Sequence, residues 1–295
     1  MSRVVISGTE KKFMYKFAAF ILTHGRPYNQ RTLRLLKDLC YTGKVYLVLD
    51  DQDETIQKYI DEYGADNIII FDKNHYVSKT DTGLHRPVFK FAVYARNAIE
   101  DIARDYGLDY FLMLDDDITN IRFRYNDNGS LKTAHINGYF DSIMCSYIDY
   151  MDKADISCMS FGFGNMYMSG YSALETESSR QRICVEAFVR SVKHKVDWRL
   201  NMVEDLITSI DASMRGDVWF QFLPLQVEIQ MSEGTVCGGN SDAYNSFGKY
   251  KLTFFPTIIY PSSNRPRYVK NHWVTTTSPD NAVPKIISSS YRKER

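Results

Sequence analysis

Three consecutive aspartates follow an apolar run in the first half of the chain. Residues 110–114 read Tyr-Phe-Leu-Met-Leu, and Asp115, Asp116 and Asp117 come directly after them. The apolar run is typical of a buried strand. Three adjacent carboxylates cannot continue into a core, because they repel one another and are costly to remove from water. We therefore expect the strand to end at the rim of a sheet, with the carboxylates facing a cleft.

Two of these aspartates have the spacing of metal ligands. Successive side chains of an extended chain point to opposite sides, so Asp115 and Asp117 can face the same way. Their oxygens suit a hard divalent cation such as Mg²⁺ or Mn²⁺, which often also binds a phosphate. A solvated acidic turn is the alternative. An EF-hand is excluded, because its sixth and twelfth positions here are Asn120 and Asn126 instead of Gly and Glu.

Alternating strands and helices are predicted to position the aspartates. Strands are predicted at residues 17–22, 45–49, 67–71 and 110–114, and helices at residues 33–40, 56–63 and 95–103, the first two closed by Gly43 and Gly64. This order predicts an α/β fold with a doubly wound, mostly parallel sheet. The four strands end in residues 23–26, 50–51, 72–73 and 115–117, all of them polar-rich. Because carboxyl ends of parallel strands share one edge, these groups are expected to converge.

The rest of the chain shows weaker patterns. Residues 72–86 are polar and without clear periodicity, which indicates a mobile loop over the site. A turn is predicted at residues 127–129. Helices are predicted at residues 140–151 and 203–214, and strands at 156–161, 218–222 and 226–231. The tail from residue 264 to 295 has seven basic residues and two acidic ones.

Composition narrows the class of protein. The 295 residues include 36 Lys and Arg against 36 Asp and Glu, which excludes a wholly basic nucleic-acid-coating protein but not a local basic patch. The five cysteines form no Cys-x-x-Cys pair, which argues against a zinc site, and their odd number fits reduced thiols. No signal peptide is visible, and the apolar run at 17–22 is too short for a membrane span. A cytoplasmic protein without a membrane partner is expected.

The ordered motifs resemble those of GT-A glycosyltransferases. The pieces are Ile-Leu-Thr-His-Gly-Arg-Pro at 21–27, Asp50-Asp51, Ala-Arg-Asn at 95–97 and Leu-Asp-Asp-Asp at 114–117. Glu204-Asp205 and segments at 236–244, 260–262 and 283–286 extend the resemblance. The full set looks most like the TET-associated glycosyltransferases of bacteriophages, a family linked to attachment of sugar to hydroxymethylated cytosine in viral DNA.

The resemblance implies a domain organisation. Residues 1–16 would be a lead-in, residues 17–262 a single GT-A-like domain, and residues 263–295 a basic extension that completes the donor or acceptor site. Within that extension, Arg265, Arg267 and Lys270 can meet phosphates of the donor or of DNA. An ordinary solvated basic tail is the alternative.

The resemblance also implies roles for individual residues around a nucleotide-sugar. Thr23 and Arg26 would contact the nucleotide, and Asp50 or Asp51 would contact its base or ribose. Arg96 would lie on the donor side of the cleft, and Asp116 would contact ribose or sugar. The metal ion, Mn²⁺ or Mg²⁺, would be bound by Asp115, Asp117 and His272. For Arg96 the alternative is a salt bridge to Glu100, four residues further along a helix. For His272 the alternative is a purely structural histidine.

A general base is expected at residues 204–205. Inverting transfer needs a carboxylate beside the acceptor hydroxyl, and the resemblance places Asp205 in that role, with Glu204 as an acceptor contact. The alternative is that both acids only stabilise the start of a helix through its dipole. Retaining enzymes of the same fold lack a single obvious base.

The resulting hypothesis is a metal-dependent hexosyltransferase. It moves a sugar from a nucleotide-sugar, in the first instance a UDP-sugar, to a hydroxyl, and the favoured acceptor is 5-hydroxymethylcytosine in phage DNA. Three alternatives remain open: a glycosyltransferase acting on glycan or protein, a nucleotidyltransferase, and a non-catalytic module that binds nucleotide-sugar or nucleic acid.

Overall fold

Apolar strands and amphipathic helices alternate along the chain. The computed structural model describes residues 14–83, 92–163, 167, 170–176, 184–200, 203–229, 250–269 and 272–278. Its strands are β1 (Phe17–Leu22), β2 (Lys44–Asp50), β3 (Ile68–Phe71), β4 (Tyr110–Asp115), β5 (Ile118–Asp127), β6 (Ser130–His135), β7 (Cys158–Phe163), β8 (Ala187–Ser191), β9 (Trp219–Ile229), β10 (Asn264–Val269) and β11 (His272–Thr277). Its helices are α1 (Arg31–Asp38), α2 (Ile56–Tyr63), α3 (Lys73–Lys79), α4 (Ala92–Asp105), α5 (Phe140–Lys153), α6 (Ser172–Thr176), α7 (Glu204–Arg215) and α8 (Tyr250–Ile259).

Nine of the strands form one sheet, in the order β3-β2-β1-β4-β8-β7-β9-β5-β6. The four adjacent strands β3, β2, β1 and β4 run parallel to one another. Beyond β4 the sheet becomes mixed, because β8 runs antiparallel to both β4 and β7, while β7 and β9 are parallel. The predicted GT-A-like α/β class is confirmed, with the four parallel strands as its N-terminal half.

The register of the parallel strands brings their carboxyl ends to one edge. Leu22, the last residue of β1, lies opposite Asp115. Asp50, the last residue of β2, lies opposite Phe71. On the other side of β4, Ala187 lies opposite Leu114. The predicted convergence of polar strand ends is therefore confirmed.

The sheet separates two apolar layers. Alternate residues of β1 and β4 face opposite sides, as the two-residue period of a strand requires. Ile21 and Leu114 pack in a layer with α1 and α5, and Phe20 and Met113 pack in a layer with α4. Trp198 and Trp219 lie in the second layer at 1% exposure each, so both are core residues.

The predicted loop after β3 contains a helix instead. Asp72 caps α3 by accepting a hydrogen bond from the backbone N–H of His75, at 3.0 Å. Lys73 and Tyr76 are buried on that helix. The expectation of a loop is wrong for residues 73–79, because two buried side chains are too few to produce a readable period. Residues 84–86 of the predicted loop lie outside the described residues.

Two further predictions need correction. Helix α1 ends at Asp38, and Cys40 with φ +57° follows it, so Gly43 does not close the helix. The strands predicted at 218–222 and 226–231 are one strand, β9. Its pairing with β7 moves from Phe222 opposite Phe161 to Gln226 opposite Gly162, a register shift that leaves residues 223–225 of β9 without a partner on β7. Residues 230–231 are outside the described part of the chain.

The C-terminal elements form a smaller unit that packs beside α7. Strands β10 and β11 pair as an antiparallel hairpin, and α8 contacts both. Phe255 and Ile259 of α8 pack on a small core that includes Val203 and Ile207. Within the described residues, no helix has the length and apolar character needed to cross a membrane.

Candidate functional site

The end of β4 presents its aspartates alternately to two sides. Asp116 is buried at 7% exposure, whereas Asp115 and Asp117 are partly exposed. The expected alternation of side chains around the strand end is thus present. The two sides have different partners and different charge.

On the first side, Asp116 is held in a closed hydrogen-bond network. Thr23 Oγ1 donates to Asp116 Oδ2 at 2.7 Å, and Arg26 Nη1 lies 2.9 Å from Asp116 Oδ1. Gln30 Nε2 donates to Thr23 Oγ1 at 2.8 Å, and the Tyr59 hydroxyl accepts from the Arg26 backbone N–H at 2.9 Å. We call these five residues the Thr23 network. Thr23, Arg26 and Asp116, predicted as nucleotide or ribose contacts, therefore form one group.

Charge within the Thr23 network is balanced. Burial raises the pKa of Asp116, while the Arg26 guanidinium and the Thr23 hydroxyl oppose that rise. The pKa remains above its ordinary value mainly because of burial, to which the nearby charge of Asp115 adds. With one cation beside one carboxylate, this side of the strand end has little net charge.

Helix α1 fixes the backbone of the aspartate turn. Thr32 Oγ1 donates to the Asp115 carbonyl oxygen at 2.6 Å and accepts from the Ile118 N–H at 3.0 Å. The Thr32 N–H also donates to the Asp116 carbonyl oxygen, at 3.3 Å. Thr32 therefore satisfies polar backbone groups on both sides of the turn, which an aliphatic side chain of similar size cannot do.

On the second side, Arg96 joins Asp115 to the start of α7. Its Nη2 lies 3.1 Å from Asp115 Oδ1, and its Nε lies 3.4 Å from Glu204 Oε1. The guanidinium also stacks near the rings of Phe188 and Trp198, at 5.0 and 5.4 Å. At 4% exposure, Arg96 is buried. The sequence motifs Ala-Arg-Asn, Asp-x-Asp and Glu-Asp thus meet through this one side chain.

The helical salt bridge considered for Arg96 is not formed. Glu100 pairs instead with Arg190 of β8, with Arg190 Nε 2.9 Å from Glu100 Oε1. Glu100 also accepts from Trp198 Nε1 at 3.1 Å. Arg96 is therefore free of Glu100 and committed to the carboxylates of the site.

Negative charge is in excess on this second side. Burial, together with Asp115 and Asp116, raises the pKa of Asp117 to about 6. Burial and the neighbouring Glu204 raise the pKa of Asp205 to about 7. Several carboxylates thus lie near a single guanidinium, and their crowding is what a bound cation would relieve.

Glu186 belongs to the same group and was not predicted. It directly precedes β8, whose Ala187 lies opposite Leu114, so Glu186 comes next to Asp115 at the sheet edge. Burial and the charges of Asp115 and Asp205 raise its pKa well above the ordinary value. Its backbone is left-handed, with φ +63°. The one signal in the sequence is a Glu before the short apolar run Ala-Phe-Val, which is readable only once β8 is recognised.

The carboxylates fit a hard divalent cation. Asp115 and Asp117 offer oxygen ligands in a region of excess negative charge, as Mn²⁺ and Mg²⁺ prefer. Among the described residues, no three His, Cys, Asp or Glu side chains are grouped closely enough to form a complete metal cage. Mg²⁺ is commonly held by one or two carboxylates, with water and phosphate completing the shell. The backbone of His272 pairs with Val269 in the hairpin, but its side chain lies outside the described part.

The end of β2 carries a second polar group. His24 Nδ1 lies 2.9 Å from Asp50 Oδ2, and Lys73 Nζ lies 3.1 Å from Asp50 Oδ1. Burial tends to raise the pKa of Asp50, but the His24 hydrogen bond and the Lys73 charge lower it overall. Asp51 is exposed, and the Gly25 N–H donates to Asp53 Oδ2 at 2.7 Å. Of the predicted pair Asp50-Asp51, the first is occupied by side-chain partners, and the second is exposed, although its Oδ1 accepts a hydrogen bond from the Lys73 backbone N–H at 3.0 Å.

The two acids at the start of α7 differ in accessibility. Glu204 is 6% exposed and paired with Arg96. Asp205 is partly exposed, and the N–H of Leu206 donates to its Oδ1 at 2.7 Å. An incoming hydroxyl can therefore reach Asp205 more easily than Glu204.

A comparison with protein families gives the family of the chain. The sequence model described as TET-Associated Glycosyltransferase matches residues 17–235, about three quarters of the chain. The chain belongs to this family. It is therefore a glycosyltransferase, and every element that contributes a described side chain to the site lies within the matched residues.

Solved structures similar to this TET-associated glycosyltransferase include glucosyl-3-phosphoglycerate synthase from Mycobacterium tuberculosis. The complex with Mn²⁺, UDP and phosphoglyceric acid has a TM-score of 0.46 and 9% identity, covering 90% of this chain and 87% of that chain. The complex with Mg²⁺ and UDP has a TM-score of 0.47 and 9% identity, covering 90% and 88%. The complex with Mn²⁺, UDP-glucose and phosphoglyceric acid has a TM-score of 0.45 and 9% identity, covering 92% and 89%. A comparison with curated proteins finds no match.

Proposed function

We propose that this chain transfers a sugar from a UDP-sugar to the hydroxyl of 5-hydroxymethylcytosine in DNA, with inversion at the anomeric carbon and with Mn²⁺ or Mg²⁺ bound. The observation that carries the proposal is the meeting of Asp115, Arg96 and the first turn of α7 at the carboxyl end of β4. It brings carboxylates suited to a cation and a carboxylate suited to proton transfer to the same sheet edge.

The donor is assigned to the edge formed by β1, β2 and β4. Arg26 and Thr23 face the strand end through Asp116, and Asp51 is exposed at the end of β2. A nucleotide placed there meets the guanidinium of Arg26, which can bind its phosphates. It also meets the carboxylate of Asp51, which can accept hydrogen bonds from ribose hydroxyls or from N–H groups of the base. Arg26 is partly exposed, at 26% of its side chain, so it can contact both Asp116 and a ligand.

Asp115 and Asp117 would hold the divalent cation, and Arg96 orients Asp115 toward it. When bound, the cation supplies electrostatic stabilisation to the departing nucleoside diphosphate. Two carboxylates leave coordination positions for diphosphate oxygens. His272, in the C-terminal hairpin, would be a further ligand of the cation.

Asp205 would act as the general base, with Glu204 behind it. The acceptor hydroxyl gives its proton to the Asp205 carboxylate while its oxygen bonds to the anomeric carbon. The bond from that carbon to the diphosphate breaks, and the electron pair leaves with UDP. Glu204 contributes by fixing Arg96 and so the spacing between Asp115 and the start of α7.

The acceptor assignment follows the family to which the chain belongs. The substituent at C5 of a pyrimidine projects into the major groove of duplex DNA. The hydroxymethyl group is therefore reached either in that groove or after extrusion of the base.

A donor screen by mass spectrometry tests the proposal. Purified protein, Mn²⁺, a panel of nucleotide-sugars and DNA containing hydroxymethylcytosine are incubated and digested to nucleosides. We expect a hexose mass shift on the modified base with a UDP-sugar, lost in Asp117→Ala. The matched control is Asp127→Ala, which removes an exposed aspartate at the distal end of β5 and should retain transfer.

The other outcomes separate the alternatives. Metal-dependent release of UDP with transfer to a glycan or protein, and none to DNA, would reject the proposed acceptor. Release of pyrophosphate would identify a nucleotidyltransferase. Binding of donor without turnover on any acceptor would indicate a binding module and contradict the proposal as a whole.

A further inference from the structure

The C-terminal unit has a one-sided charge composition. Residues 250–278 contain four Lys or Arg residues (Lys251, Arg265, Arg267 and Lys270) and no Asp or Glu. The complete chain has equal numbers of basic and acidic residues. The rest of the chain is therefore net negative by four charges, although residues 279–295 add four basic residues and two acidic ones. Such a patch on a neutral protein favours a polyanionic partner.

The hairpin has a covered face and an open face. On the face that α8 packs against, which we call the covered face, Thr275 Oγ1 donates to the Thr253 carbonyl oxygen at 2.9 Å, and the Trp273 and Phe254 rings lie 5.6 Å apart. Tyr268 and Trp273 of this face remain 61% and 48% exposed, so α8 covers it only in part. Alternation along the strands places Arg265 and Arg267 on the opposite face. We call that opposite side the open face.

The open face is exposed along its length. Arg265, Arg267 and Val269 of β10 are exposed, and on β11 Thr276 is exposed and Val274 partly exposed. Register pairs Arg265 with Thr276 and Arg267 with Val274, so these side chains form one continuous surface. Among the described residues, neither arginine takes part in a salt bridge.

The hairpin has dimensions that suit a DNA groove. Six residues per strand span about 20 Å, and two paired strands lie about 5 Å apart. The major groove of B-DNA is about 12 Å wide and admits a two-stranded ribbon. A ribbon backed by a helix on one side, with arginines on the other, can lie along the groove with those arginines on the phosphates.

The hairpin is also anchored next to the proposed acceptor side. Phe255 and Ile259 of α8 pack with Val203 and Ile207, which flank Glu204 and Asp205 in sequence. Arg199 Nη2 donates to the Tyr260 hydroxyl at 2.9 Å. A duplex held by the hairpin is thus held by a unit that packs directly on the first turn of α7.

We propose that the open face of the β10–β11 hairpin docks in the major groove of the DNA that carries the acceptor, with Arg265 and Arg267 on its phosphates. This inference rests on the proposed function, since it assigns DNA as the partner of the acceptor side. It adds a binding surface outside the matched family region, which ends at residue 235.

Salt-dependent DNA binding by the full-length protein tests the docking surface. Binding to a fluorescent duplex that contains hydroxymethylcytosine is measured between about 50 and 200 mM salt. The double variant Arg265→Gln, Arg267→Gln should reduce the slope of log K against log salt by about 1.8, from two lost phosphate contacts. That loss corresponds to roughly 60-fold weaker binding at about 0.1 M salt.

The matched control removes the same charge elsewhere. The double variant Lys16→Gln, Lys37→Gln changes two exposed lysines, one just before β1 and one near the end of α1. Both lie toward the amino ends of the parallel strands, away from the site. It should leave the slope unchanged. Circular dichroism melts of both double variants verify that they are folded, and Arg265→Lys, Arg267→Lys should restore most of the slope because it restores the charges.

Dimethyl sulfate footprinting identifies the groove. Guanine N7 lies in the major groove and adenine N3 in the minor groove. We expect the parent protein to protect guanine N7 near the modified cytosine, and the Arg265→Gln, Arg267→Gln variant to lose this protection. Protection confined to adenine N3, or equal salt slopes for the parent and this variant, would overturn the inference.

UDP release by the parent protein separates the two proposals. Sugar transfer with a salt slope that is the same in parent and hairpin variant would leave the function standing and reject the hairpin. Hairpin-dependent protection of guanine N7 without any UDP release would leave the docking surface standing and reject the function.

Discussion

The two sides of the β4 strand end differ in how charge is balanced. On the side of the Thr23 network, Asp116 has one guanidinium and one hydroxyl as partners. On the side of Arg96, one guanidinium faces Asp115 and Glu204, with Asp117, Asp205 and Glu186 also nearby. Neighbouring residues of one strand therefore lie in a nearly neutral environment and in a strongly negative one.

This difference indicates that the two sides of the strand end have different functions. A network with balanced charge needs no further cation to hold the β1 turn in place, although Arg26 Nε and Gln30 Oε1 lack hydrogen-bond partners among the described residues. A region with more carboxylates than cations is destabilised until a positive charge or a proton enters, which suits cation binding and proton transfer. We expect a site that requires this imbalance of charge to lower the unfolding free energy of the protein, and the effect should differ between the two sides.

The largest expected effect is on catalysis at the negative side. Asp205→Asn removes the proposed base while keeping its shape, and we expect the rate of sugar transfer to fall by about 10²- to 10⁴-fold with donor affinity unchanged. Single-turnover kinetics on hydroxymethylated DNA measure this. Asp211→Asn, on the same helix and paired with Arg199, is the control and should retain transfer. Transfer at the parental rate by Asp205→Asn would remove that residue from the mechanism.

Replacement of the two arginines compares the sides directly. Arg96→Met leaves the buried carboxylate of Glu204 and the partly exposed one of Asp115 without their buried cation, so we expect a loss of about 3–5 kcal/mol in unfolding free energy. Arg26→Met removes one partner of Asp116 from a partly exposed position, and about 1.5–3 kcal/mol is expected. Urea denaturation gives both values. Equal losses would mean that the two sides do not differ in electrostatic balance.

A smaller loss is expected from the hydroxyl of the Thr23 network. Thr23→Val removes a donor to Asp116 and an acceptor for Gln30, both buried, and we expect about 1–3 kcal/mol. Thr23→Ser keeps the hydroxyl and should lose less than half of that. Chemical denaturation of both variants is the measurement, and a loss in Ser as large as in Val would assign the effect to packing.

The smallest effect is a pH dependence far from either side. The hydrogen bond to Asp217, and then the one to Asp155, raises the pKa of His194, although burial opposes this. A raised native pKa stabilises the fold below the unfolded value of about 6.5, and this contribution is lost as pH rises through the native pKa. We expect less than about 1 kcal/mol of unfolding free energy to disappear there. Because Asp117 and Asp205 also titrate near this range, the measurement is the difference in unfolding free energy between the parent and His194→Gln, and this difference should change with pH only over that window.

The parallel half of the fold could be predicted closely from the sequence. Strands β1 to β4 are short apolar runs that end in polar residues, and their observed bounds lie within a residue or two of those expected. The mixed half could not. Strand β8 contains Arg190, buried at the level of a core residue and paired with Glu100, so its apolar pattern is interrupted by a charge whose partner is 90 residues away.

The site divides in a similar way. Asp115, Asp116 and Asp117 stand in a recognisable motif, and their placement at the sheet edge follows from the end of their strand. Glu204 and Asp205 also stand in a recognisable motif, but they begin a helix, and their closeness to Asp115 depends on the long-range contact with Arg96. Lys73, Asp53 and Tyr59 were missed because each contributes through a partner on another element. Long-range pairs of this kind leave no local pattern, whereas a strand that ends in carboxylates does.

Thr32 has a consequence for the thermodynamics of ligand binding. Its hydroxyl and backbone N–H hold the aspartate turn on both sides before any ligand arrives. Binding of a nucleotide therefore needs little ordering of this backbone, and the entropic penalty that a floppy turn would add to affinity is avoided. Loosening the turn with Thr32→Val should make donor binding more enthalpic and less favourable in entropy, a change that calorimetry can resolve even where the structure of the complex stays the same.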